Sequence, residues 1–126
     1  MSLRSPLGKA IGLGSAKHGF SHWWWQRVTA IALIPLSLWF VFSILTLLGA
    51  PFAQVSGWLS QPFNATVLIL FVLTLLFHAQ TGLQVVIEDY IHTKWLNIGL
   101  LLAVKFGAVI LGVMAIISIF KVVFGG

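Results

Sequence analysis

Residues 64–90 read N-A-T-V-L-I-L-F-V-L-T-L-L-F-H-A-Q-T-G-L-Q-V-V-I-E-D-Y. From Asn64 to Ile87 this run carries no charge. At about 1.5 Å of rise per helical residue, it is long enough to cross a hydrocarbon layer about 30 Å thick. It is also unusually polar for a helix that faces only lipid, because Thr66, Thr74, His78, Gln80, Thr81 and Gln84 interrupt it. At about 100° per residue, the eleven steps from His78 to Asp89 complete almost whole turns. The two therefore share a face with Thr74, Gly82 and Val85, separated by roughly 16 Å along the axis. A polar group near the midplane thus lies on the same face as a polar cluster at the membrane surface.

The composition agrees with that reading. Of 126 residues, 60% are hydrophobic and 7% charged, and cysteine is absent. The mean hydropathy is +1.06. A soluble domain of this size needs far more surface charge. Long apolar runs, rather than alternating segments of about ten residues, point to helices and not to a barrel. Without cysteine, the chain has no disulfide, thiolate catalyst or iron–sulfur ligand of its own. The net charge of +5 is scattered along the chain, so it points to membrane topology and not to nucleic acid.

Working outward, residues 1–20 form a basic arm with Arg4, Lys9 and Lys17, rich in Gly and Ser. The arm lacks an apolar run followed by a small-residue cleavage site, so it does not read as a secretory signal. The dense aromatic junction S-H-W-W-W-Q-R at 21–27 suits the headgroup zone and introduces a first span over about 26–49. Pro35 within that span predicts a modest kink. A loop at 50–63 contains Pro51, Gly57, Trp58 and Pro62 but no charge, with room for one interfacial turn. The second span covers about 64–87, a short connection occupies 88–94, and a third span runs over about 96–123. No internal repeat or linker divides residues 1–126, which form one membrane-anchor domain with an all-α, three-span fold. Positive residues cluster on the amino side of the first span. The positive-inside rule therefore puts the amino terminus and the 88–94 connection in the cytoplasm and the carboxyl terminus outside.

Several residues stand out chemically. An ionisable group at the depth of His78 is costly unless it faces protein, bonds a partner or binds a metal. One explanation is axial ligation of haem iron, with Gly82 one turn later leaving room for a flat macrocycle. The other is a packing histidine bonded to a neighbouring helix. His18, His22 and His92 all lie at or outside the surface, so a bis-histidine haem would need its second ligand from another chain. Asp89 and Tyr90 offer a carboxylate and a phenol at the membrane boundary, where a quinone carbonyl needs a hydrogen-bond donor. An ordinary solvated helix end is the blander account. Arg27 and His22 sit at that same face and could pair with haem propionates or with lipid phosphates. Lys105 falls roughly 15 Å into the third span and shares a face with Ala108, Gly112 and Ala115, a stripe that predicts packing against protein. Its role stays open between a propionate contact and snorkelling.

The segments S-H-W-W-W-Q-R-V-T-A-I-A-L at 21–33 and F-H-A-Q-T-G-L-Q-V-V-I-E-D-Y-I at 77–91, within a three-span chain, resemble the hydrophobic membrane anchor (D) subunit of succinate dehydrogenase. The carrying pattern is the His, the Gly four residues on, and the Asp-Tyr pair eleven and twelve residues on, supported by R-V-T-A at the first span. The resemblance implies a role in succinate:quinone oxidoreductase, complex II of the respiratory chain and tricarboxylic acid cycle. It also implies a heteromeric helix bundle with a second anchor (C) subunit, an iron–sulfur subunit and a flavoprotein subunit, in a bacterial inner membrane. On this resemblance His78 is the axial ligand of haem b, Tyr90 the ubiquinone donor, Asp89 its supporting carboxylate, and Arg27 the arginine at the haem and quinone end. His22 matches no motif position. No succinate or flavin site is expected in this chain. A fumarate reductase anchor is the alternative within redox chemistry, and a small helical transporter or assembly protein is the alternative outside it.

Overall fold

The computed structural model describes residues 15–125, with side chains from Phe20 onward. The arm through residue 14, with Arg4 and Lys9, lies outside the described residues. Four helices follow one another among the described residues: α1 (Ser15–Leu47), α2 (Phe52–Leu59), α3 (Pro62–Tyr90) and α4 (Lys94–Val123). Three of them contain stretches long and apolar enough to cross a membrane, Phe20–Leu47, Pro62–Tyr90 and Lys94–Val123.

The ends of these helices differ from the sequence expectation in instructive ways. α1 starts by Ser15, so its first turns lie in what reads as arm. Pro35 sits within α1 without ending it. Its missing N–H withdraws one bond from the Ile31 carbonyl. α1 ends where Gly49 adopts a φ of +75°, a left-handed conformation that glycine takes at no steric cost. The loop expected at 50–63 contains a full eight-residue helix, α2, which begins after Pro51. Trp58 of α2 stacks on Trp39 of α1 with ring centroids 5.7 Å apart, and this aromatic contact pins the short helix to the bundle. The buried Asn64 side chain donates to the Trp58 carbonyl at 2.9 Å, tying the corner between α2 and α3.

α3 opens with Pro62 in its first turn, where the absent N–H costs nothing. It continues through Glu88, Asp89 and Tyr90, so the connection to α4 shrinks to Ile91–Thr93. Asn97, in the first turn of α4, donates its side-chain amide to the Ile87 and Ile91 carbonyls at 3.2 and 2.9 Å. The Ile87 carbonyl also accepts the Ile91 N–H, and the Ile91 carbonyl lies just past the helix end, so Asn97 ties the start of α4 to the C-terminal end of α3.

α3 is the central helix. It packs on α1 at one side and α4 at the other, while α1 and α4 scarcely meet. Where α4 approaches, Gly112 is buried against Leu76 and Leu73, as the small-residue stripe predicts. Burial is sparse, and polar side chains make up an unusually large part of it. The buried side chains include Thr29, Asn64 and Thr81 beside Leu59, Phe71, Ile87 and Ile119. Leucine, isoleucine and phenylalanine dominate the exposed surface. Lipid solvates apolar side chains, so the groups that need shelter are the polar ones.

Candidate functional site

The seam between α1 and α3 is antiparallel, and a step of three residues along α1 is matched by three residues back along α3. Gln26 meets Thr81, and Thr29 meets His78. The Thr81 hydroxyl lies against Gln26 Oε1 and also within 3.0 Å of the Phe77 and His78 carbonyls. Thr29 Oγ1 is 3.0 Å from His78 Nδ1, 2.7 Å from the Trp25 carbonyl and 3.2 Å from the Gln26 carbonyl. A histidine at this depth therefore has a partner on the neighbouring helix. The other ring nitrogen, Nε2, makes no hydrogen bond to any described residue and is not shut away from the surface.

Gly82 behaves differently from the sequence expectation. A Cβ built there would lie 3.5 Å from Gln26 Nε2. The space its missing side chain leaves is filled by the amide of α1 and not held open for a planar group.

Two cavities flank the seam. The first, of about 400 Å³, is an apolar cleft lined by Trp25, Thr29, Leu73, Thr74 and Phe77. Trp25 and Phe77 meet edge to face at its rim, with centroids 6.2 Å apart. The second, of about 390 Å³, draws on all three long helices and is far more polar, with His22, Gln80, Gln84 and Lys105 among its walls. Gln80 donates to Gln84 at 3.3 Å. His22 Nε2 is buried there without a hydrogen-bond partner among the described residues. A lysine and an unpaired imidazole nitrogen in one cavity form a setting suited to an anionic oxygen.

The structure thus groups the sequence-selected residues in a particular way. His22 joins Lys105 at the polar cavity, close to the seam that holds His78. Arg27 does not join them. It lies exposed on the outer side of α1, its guanidinium 5.5 Å above the Trp23 ring. Asp89 and Tyr90 lie apart from both cavities, exposed in the last turn of α3 and free of hydrogen bonds to other described side chains. Tyr90 is 75% exposed. Twelve helical steps separate it from His78, roughly 18 Å along the axis. The seam also brings in two residues that the motifs did not single out for chemistry, Gln26 and Thr29. Their spacing was the available signal, since His22, Gln26 and Thr29 recur at intervals of four and three on one face of α1.

The profile of the family described as succinate dehydrogenase/fumarate reductase transmembrane subunit matches residues 1–120. The chain belongs to this family. A succinate dehydrogenase hydrophobic membrane anchor subunit of Rickettsia bellii (strain RML369-C) is 39% identical, with 93% of this chain and 94% of the relative covered. The protein of the same description from Paracoccus denitrificans is 31% identical over 82% of this chain and 80% of its own length. A mitochondrial succinate dehydrogenase [ubiquinone] cytochrome b small subunit from Neurospora crassa is 35% identical over 64% of this chain and 38% of the relative. No solved structure matches significantly. Together with the three apolar helices, these relatives support a multi-pass succinate dehydrogenase membrane anchor subunit, part of an oxidoreductase complex.

Proposed function

We propose that this chain is one half of the membrane anchor of a succinate:quinone oxidoreductase, sharing a haem b with a second anchor chain and forming part of the ubiquinone site. The observation that carries this reading is the state of His78. Its Nδ1 is engaged by Thr29 and its Nε2 has no partner among the described residues, the arrangement that histidine ligands to metals adopt. The donor set fits a haem shared with a second chain, because among the described histidines His22 stands near the start of its span and His92 between helices, while His78 stands well within α3. When bound at His78, haem b would supply one-electron chemistry. Around it, the apolar cleft at Trp25, Leu73 and Phe77 excludes water, and the His22 and Lys105 cavity provides positive charge for propionate oxygens.

At the end of α3, Tyr90 donates its phenolic proton to a quinone carbonyl and Asp89 supports it. Asn97 holds that last turn in place by capping its carbonyls. The Neurospora crassa relative is described as a ubiquinone succinate dehydrogenase cytochrome b small subunit, which supports a haem and a quinone in the same anchor. Arg27, which the α1–α3 register sets nearer the level of His78 than that of Tyr90, is assigned to the haem end or to lipid phosphates. Succinate oxidation falls to the flavoprotein, with an iron–sulfur subunit relaying electrons to the membrane. The amino terminus is cytoplasmic and the carboxyl terminus periplasmic in a bacterial inner membrane. A haem-ligating His78 also favours this reading over a haem-free fumarate reductase anchor.

The test is to purify the tagged chain from native membranes, identify the subunits that accompany it and record a reduced-minus-oxidised spectrum. A b-type haem together with a flavoprotein is expected. Absence of both would overturn the proposal.

A further inference from the structure

We propose that Thr29 is the positioning residue that sets the tautomer and donor strength of His78. This inference rests on the reading of His78 as a haem ligand, and it assigns a role in that site to a residue of α1. The argument is one of proton counting. A threonine hydroxyl has one proton and two lone pairs, and a neutral imidazole has one N–H. Thr29 Oγ1 lies 2.7 Å from the Trp25 carbonyl and 3.2 Å from the Gln26 carbonyl, groups that can only accept. Its proton is therefore committed to its own helix, the back-bonding that threonine adopts within helices. What remains on Oγ1 is acceptor capacity, so the 3.0 Å contact with His78 Nδ1 is an Nδ1–H donating to Oγ1. The single ring proton then lies on Nδ1, and Nε2 carries a lone pair.

The reverse assignment gives up more contacts at this site. Were Thr29 to donate to Nδ1, its hydroxyl would leave both carbonyls, and Nε2 would carry the proton and be unable to bind a metal. Thr29 is only 8% exposed, so no bulk water competes for either partner. One turn along α3, the Thr81 contact with Gln26 and the His78 carbonyl holds the backbone beneath the ring. The ring is thus held at its edge by Thr29 and at its base by Thr81. A hydrogen bond from Nδ1–H raises the basicity of the imidazole, which favours ferric over ferrous iron. Losing such a support lowers metal affinity by about 10- to 100-fold.

The experiment compares Thr29→Val, which keeps the shape and removes the hydroxyl, with Thr29→Ser, which keeps the hydroxyl. Both are purified as complete complexes, with haem counted per flavin so that poor assembly is scored separately. Thr29→Val is expected to lose haem on dilution about 10- to 100-fold more readily and to raise the haem midpoint potential. A tenfold excess loss on the ferric side corresponds to about +59 mV for a one-electron couple. Thr29→Ser is expected to restore both readouts. If Thr29→Val does not assemble, Thr29→Cys, a weaker acceptor of similar size, is expected to shift the potential in the same direction. Unchanged retention and potential in the variant that assembles would overturn the inference. His78→Ala separates the two levels. A spectrum that survives His78→Ala defeats the ligand reading itself, whereas loss in His78→Ala with no effect of Thr29→Val defeats only the role of Thr29.

Discussion

At one end of the α1–α3 pair the helices meet through hydrogen bonds, Gln26 with Thr81 and Thr29 with His78. At the other end the same two helices meet through rings, Phe40 stacked on Phe71 with centroids 4.8 Å apart and planes inclined by 21°. Trp39 and Trp58 extend the aromatic contact onto α2. The difference teaches what each chemistry can specify in lipid. Stacked rings gain dispersion and shape fit, but apolar surface is no worse off against lipid than against protein, so such contacts tolerate sliding. Hydrogen bonds between fixed atoms do not slide. The polar half therefore sets the register and aims one nitrogen, while the aromatic half supplies packing.

The sharpest way to break this comparison is His78→Ala, which is expected to abolish or alter the b-type haem spectrum of the purified complex. Its effect on bundle stability should stay below about 1 kcal/mol, because a polar contact within a bilayer averages about 0.6 kcal/mol and Thr29 keeps its backbone acceptors. Phe71→Ala should do the converse. Phe71 is 8% exposed, and its truncation is expected to cost on the order of 2 kcal/mol in a detergent unfolding titration while leaving the haem spectrum in place. A variant that damaged both properties equally would show that the two halves are not separable.

At the free end of α3, Tyr90→Phe removes one donor and nothing else. Quinone reduction is expected to fall about tenfold, the rate equivalent of a lost hydrogen bond worth about 1.4 kcal/mol, while succinate oxidation by an artificial acceptor persists. Equal loss of both activities would indicate failed assembly. The smallest effect is expected from Gly82→Ala. Its Cβ would meet Gln26 Nε2 at an ordinary contact distance of 3.5 Å, so haem content should be retained and stability should change by less than about 0.5 kcal/mol. Loss of haem in that variant would show that a macrocycle does lie against Gly82.

Helix geometry explains how much of the site could be read in advance. His78 and Lys105 were legible because an ionisable group at bilayer depth demands an explanation whatever surrounds it. Arg27 and His22 read as equals, since both lie at one membrane face, yet five residues place them about 140° apart around α1. One accordingly lines a cavity and the other points outward over Trp23. Thr29 did not stand out because an isolated threonine in a membrane helix bonds its own backbone and costs little. Its importance comes from the helix opposite. Gly82 was legible as a gap but not as to what fills it. The run of α3 through Asp89 and Tyr90 was legible only in part, since the helical face counted from His78 reaches Asp89 while the charge and polarity of 88–94 suit a connection, and the bond to the end of α3 comes from Asn97 on the next helix.

By itself the sequence determined the number of spans, their order, the membrane class, and the place of His78 within the second span. Each follows from local composition against a solvent of known thickness. Only the tertiary structure decided the pairing of Thr29 with His78, the filling of Gly82 by Gln26, the separation of Arg27 from His22, and the central place of α3. In lipid, apolar faces carry no mark of which will pack and which will stay exposed. Register between helices is set by where a few polar atoms on different helices can reach one another, and that appears only when the helices are assembled.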